Sequence, residues 1–98
     1  MEKPRNIVGP LIRELREKEG LTQSELVARL NLAGWDLSRD IIARIEAQVR
    51  WVSDFEVVKL SEAFGMECGK LIQQALAKGL NRPQTLPELL HPPKRSGR

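Results

Sequence analysis

The sequence predicts an all-α fold, with five short helices over residues 1–80 and a Pro-rich basic tail over residues 81–98. Three observations carry this. Apolar residues recur three and four positions apart, the spacing of a helix face, and not at alternate positions. Hydroxyl residues that cap helix starts (Thr22, Ser38, Ser53) interleave with glycines that end helices (Gly20, Gly34, Gly65, Gly79). Aromatic residues make up only 4% and Tyr is absent, so the core has to be built from Leu, Ile, Val and Ala, which suits helices better than a sheet.

The elements follow in order. Val8, Leu11, Ile12 and Leu15 form the apolar stripe of a first helix over Gly9–Glu19, with Arg13, Glu14, Arg16, Glu17 and Lys18 on its other faces. Pro10 fits its first turn, where a missing N–H costs nothing, and Gly20 ends it. Thr22-Gln23-Ser24-Glu25 is a capping box, in which the Thr hydroxyl accepts from the Glu amide and the Glu carboxylate accepts from the Thr amide. The second helix runs from Gln23 to about Ala33 on the stripe Leu26, Val27 and Leu30. Trp35-Asp36-Leu37 reads as a turn. Ser38 caps a third helix over Arg39–Ala47, with Ile42 and Ile45 inward and Ile41 beside them. Gln48–Val52 reads as a loop. Ser53-Asp54-Phe55-Glu56 is a second capping box; it opens a fourth helix with the apolar face Val57, Leu60, Ala63 and Phe64, ended by Gly65. Leu71, Ile72, Ala75 and Leu76 define a fifth helix, closed by Gly79. Beyond Leu80, Pro83, Pro87, Pro92 and Pro93 preclude a sustained helix, so Asn81–Arg98 reads as a flexible tail.

Composition narrows the function. No run approaches the roughly 18 apolar residues of a membrane span. The opening MEKPRNIVGP lacks the apolar stretch of a secretory signal, so the expected location is the cytoplasm. Cys68 and His91 are the sole representatives of their types, which leaves no internal disulfide, no zinc site and no Cys–His pair. Cys68 reads as a small core or boundary residue, and no metal or other cofactor is expected. The acids fall at solvating positions and there is no glycine-rich phosphate loop, so the chain does not read as an enzyme. Its net charge of +3 lies in the tail, where Arg82, Lys94, Arg95 and Arg98 face only Glu88; the first 80 residues are neutral. Any nucleic-acid face must therefore come from local segregation of charge.

One family fits this pattern. IRELREKEGLTQSELVARL, then LSRDIIARIE, then WVSDFEVVKLSEAFGM, spread from Ile12 to about Ile72, resemble the Cro/phage-repressor (XRE) helix-turn-helix family. The carrying motifs are Thr22-Gln23 opening the second helix and Ser38-Arg39 opening the third. Ile45-Glu46 closes the third, and Leu60-Ser61-Glu62-Ala63-Phe64-Gly65 ends the fourth. The resemblance implies a five-helix Cro/lambda-repressor-like domain. Its recognition helix, about Arg39–Ala47, would lie in the major groove of double-stranded DNA while the second helix crosses the backbone. The helix starts at Thr22 and Ser38 would then offer amides and positive dipole ends to phosphates.

The sequence departs from the family pattern in three places. LNLAGWDLS stands where the usual short turn is about five residues tighter, which resembles a variant with an extended second helix, and Trp35 is expected to pack the gap. Asp40 stands where a small polar residue is usual, and Ile41 where Thr is common.

The candidate DNA-binding residues are Thr22, Gln23, Ser38, Arg39, Asp40, Ala43, Arg44 and Arg50. Gln23 would touch phosphate or brace the recognition helix. Arg39 would reach guanine O6 and N7 or a phosphate; a surface pairing with an acid is the competing use. Asp40 would accept from a base or favour the helix dipole. Ala43 is small enough to let the helix approach the groove. Arg44 would contact DNA unless an i,i+4 pair with Asp40 engages it. Arg50 is a candidate phosphate clamp, with the Trp51 ring packed under the loop. Ile41 would meet a thymine methyl or simply pack. Glu46 reads as structural, orienting a neighbouring arginine or capping loop amides. The Lys94-Arg95…Arg98 end would add nonspecific attraction or merely be solvated.

The functional expectation is a sequence-specific transcriptional regulator, acting as a repressor and as a homodimer through Leu71, Ile72 and Leu76. Its half-sites would lie about one helical turn apart. The alternative is an antitoxin-like module that binds a partner protein and regulates its own operon.

Overall fold

The computed structural model describes residues 3–80. Among the described residues the elements are α1 (Gly9–Lys18), α2 (Gln23–Leu32), α3 (Arg39–Glu46), α4 (Asp54–Ala63) and α5 (Cys68–Leu80). The fold is all-α, as expected. The Pro-rich basic tail lies outside the described residues.

Starts and stops follow the sequence signals closely. Both capping boxes form. Thr22 Oγ1 accepts from the Glu25 amide at 3.0 Å while Glu25 Oε1 accepts from the Thr22 amide at 2.8 Å. Ser53 and Glu56 repeat the exchange at 3.2 and 3.1 Å. The first four helices end in the same reciprocal turn. The amide two residues beyond the cap reaches back to the third-last helical carbonyl, as in Leu21 to Arg16 (3.0 Å), Trp35 to Leu30 (3.0 Å), Val49 to Arg44 (3.0 Å) and Met66 to Ser61 (2.9 Å). Such a turn needs a left-handed residue just past the cap. Three of the four positions are glycine, and the fourth is Gln48, with φ 64°. Gly79 does not close α5, which continues through it to Leu80. Gly tolerates helical φ and ψ, and only chain context can decide whether it ends a helix.

The helices close into a ring. α1 packs on α3 and α5, α2 on α3 and α4, and α4 on α5. Ile12, Leu26, Leu30, Ile42, Ile45, Leu60, Leu71 and Ala75 fill the middle. Trp35 and Leu37, in the long α2–α3 connection, also turn into this core. The additional residues there are thus absorbed mostly by a connection tethered at Trp35, whose amide donates to the Leu30 carbonyl at 3.0 Å and whose carbonyl accepts from Asn31 Nδ2 at 2.8 Å. Trp35 packs the gap, as the sequence suggested. No described helix is long and apolar enough to cross a membrane.

Candidate nucleic-acid interface

α3 divides cleanly by face. Ile42, Ile45 and Glu46 are buried, and Ile41 is half-buried against the core, so it packs and is not displayed. Ser38, Arg39, Asp40 and Arg44 are exposed, with Ala43 half-exposed between them. The outward surface therefore shows charge around one small residue, a shape that admits close approach to a groove floor.

The start of α3 is lightly held. Ser38 Oγ accepts from the Ile41 amide at a long 3.4 Å. The Arg39 side chain has no hydrogen bond or ion pair with any described residue. Asp40 and Arg44 face each other at 3.1 Å, the i,i+4 pair the sequence left open. Both are well exposed, so solvent screens the attraction and the pair separates at small cost.

The end of α3 is held from several directions. The Glu46 carboxylate, its side chain only 5% exposed, accepts from Arg16 Nε at 2.7 Å and Arg16 Nη2 at 3.1 Å. Gln23 Nε2 adds a third donor at 3.1 Å. Arg16 also donates to the Leu21 carbonyl at 2.8 Å, and the Glu46 hydrogen bonds raise its guanidinium still further above its ordinary value. This network joins α1, the start of α2 and the end of α3. Gln23 thus braces the end of α3 through Glu46. Thr22, exposed beside it, caps the start of α2 through Glu25.

One sequence expectation is corrected in the loop that follows. Trp51 is 70% exposed and does not pack under the loop. Arg50 is engaged by the fold: Nη1 and Nη2 donate to Glu56 at 2.9 and 3.3 Å, and Nη1 also donates to the Trp51 carbonyl at 3.0 Å. Burial pushes the Glu56 carboxyl up, but the Arg50 and Ser53 hydrogen bonds outweigh it and hold the group below its ordinary value.

Two residues missed in the sequence shape this end. Asn6 Nδ2 donates to the Ile45 carbonyl at 3.1 Å and the Arg50 carbonyl at 2.9 Å. Gly9 lets α1 touch α3, because a β-carbon there would collide with the Ile45 carbonyl oxygen. An Asn just ahead of a helix and a Gly inside its first turn were the available signals. Neither says what lies opposite.

A chain with these helices, a displayed third helix and a braced second helix is a helix-turn-helix DNA-binding domain. A helix-turn-helix family model of the Cro/phage-repressor (XRE) type matches residues 12–71, and the chain belongs to that family. It is a DNA-binding transcription regulator of the XRE type. No individual relative matches it among curated proteins or among solved structures.

Proposed function

We propose that this protein is a sequence-specific repressor that docks α3 in the major groove of its operator. One observation carries the reading. Arg39 projects from the first exposed turn of α3 without a partner among the described residues, beside half-exposed Ala43. A free guanidinium at that point suits bidentate recognition of guanine. Thr22, Gln23 and Ser38 sit at helix starts whose amides suit phosphates, and Gln23 also fixes the tilt of α3 through Glu46. Asp40 and Arg44 form a screened pair that opens toward bases on docking. Arg50 serves by shaping the loop, and repression follows from occupying the operator. No catalytic role is assigned to any residue, and the proposed place of action is the cytoplasm, with the DNA.

The homodimer part of the reading rests on a smaller surface than the sequence suggested. Leu71 is fully buried and Ile72 packs partly into the core, so of that trio Leu76 is the most available to a second copy. A protein-binding, antitoxin-like role is favoured by one feature, the exposed apolar side chains of Val49, Trp51, Phe55 and Val58.

The test is fluorescence anisotropy with a duplex from upstream of the protein's own gene against a scrambled duplex. Arg39→Ala is expected to weaken operator binding about tenfold or more and to reduce discrimination between the two duplexes. Its thermal unfolding should be unchanged. Equal affinity of Arg39→Ala and wild type for the operator would remove Arg39 from base readout. Light scattering of the complex reads the dimer, and a strict monomer with and without DNA would discard that part.

A further inference from the structure

The segment ahead of α1 and the loop after α3 are stitched together. The Arg5 amide donates to the Gln48 carbonyl at 3.0 Å, and Gln48 Nε2 donates back to the Asn6 carbonyl at 2.9 Å. Asn6 then spans the loop with its two bonds to Ile45 and Arg50, while its Oδ1 accepts from the Gly9 amide at 2.8 Å. One side chain thereby caps the start of α1 and clasps the end of α3. The consequence is positional: the backbone of Arg5 is fixed beside the loop at the end of the recognition helix. The start of α2 lies against that same last turn through the Gln23–Glu46 bond.

Phosphates border a groove that holds a recognition helix, and the segments flanking that helix are placed to meet them. The cations in this neighbourhood are not equivalent. Arg44 is paired with Asp40, and Arg50 with Glu56. Arg16 is spent on Glu46. Arg5 is exposed, tethered through its own amide, and without a side-chain partner among the described residues. Lys3 is exposed too, but no hydrogen bond to another described residue holds its backbone. We propose that Arg5 is a DNA-phosphate contact, positioned by Asn6, that fills the place beside the loop which Arg50 leaves because it is bound to Glu56. The inference rests on the DNA-binding reading above and extends the interface to a segment ahead of the matched region. Asn6 is a positioning residue. The guanidinium of Arg5 is the group that meets the anion, through paired N–H donors.

The test uses the full chain and a random-sequence duplex of about 30 base pairs, roughly three helical turns. Wild type, Arg5→Ala, Arg5→Lys and Asn6→Ala are titrated by anisotropy across a range of salt. Arg5→Ala should bind about three- to tenfold more weakly at low salt, with a log–log salt slope shallower by about one. Arg5→Lys should restore the slope, because it restores the charge, and neither change should move the melting temperature. Asn6→Ala should lose the same increment of slope, and adding Arg5→Ala to it should lose no more. Should Asn6→Ala unfold, the two variants at exposed Arg5 decide alone. Wild-type binding with an unaltered affinity and slope for Arg5→Ala would overturn the proposal and leave the DNA-binding reading standing. Wild type that binds no duplex at low salt would overturn both.

Discussion

The two ends of α3 are held in opposite ways. At its start, a single 3.4 Å cap bond comes from its own neighbour, Ser38, and the next side chain, Arg39, is uncommitted. At its end, Glu46 draws three donors from α1 and α2, and Asn6 grips the Ile45 carbonyl from across the chain. The difference separates two tasks. A helix that reads bases must keep its tip free of competing bonds, since any internal partner would have to be given up on docking. The same helix must be fixed in tilt, since a small error in angle displaces every contact. This domain fixes the angle at the far end and leaves the tip open.

The largest expected effect falls on the pinned end. Arg16→Met leaves a buried carboxylate with Gln23 as its remaining side-chain donor and should cost about 3 kcal/mol in urea unfolding. A loss well under 1 kcal/mol would mean that the network merely accompanies the packing of α3. Ser38→Ala, at the open end, should cost about 0.5 to 1 kcal/mol, at the low side because its bond is long. If it cost more than Arg16→Met, the contrast between the two ends would be wrong. The smallest effect sharpens the boundary between helix and loop. Glu56→Gln keeps the capping box geometry but loses the ion pair with Arg50, for about 0.5 kcal/mol at neutral pH. The Glu56 carboxyl lies below its ordinary 4.5 in the folded protein. Its stabilisation is therefore complete above that value and is lost as pH falls through the lowered one. Unfolding curves of wild type and Glu56→Gln should converge in acid, and a constant gap down to the acid limb would assign the difference to something other than this charge.

What the sequence made legible was local. Thr22 with Glu25, and Ser53 with Glu56, lie three residues apart, so composition alone determines the bond. The inward positions Ile42 and Ile45 follow from helical period, and the Asp40–Arg44 pair from one turn of spacing. Family motifs supplied the rest of the fold, including the display of Arg39. The tertiary pairings were not legible. Glu46 was read as structural, but nothing near it in the chain names Arg16, 30 residues back. Asn6 was passed over because its partners lie 39 and 44 positions ahead. Trp51 was misplaced for a related reason. A loop's side chains take their orientation from the helix that follows, and Glu56 on α4 draws Arg50 onto the fold while Trp51 is left in solvent.

The stitching of Asn6 also has a meaning in time. Contacts between distant positions form only after the intervening chain has been ordered, so they carry the greater part of the loop-closure cost in folding. The helix ends and caps can form within each short segment as it collapses. The clasp cannot, because it needs residue 6 and residue 50 in place together. The tilt of α3 is therefore expected to be completed late in folding. It is also expected to open ahead of the core on which α3 rests when the chain loosens, which amide exchange of Arg5 and Gly9 against Ile45 would read.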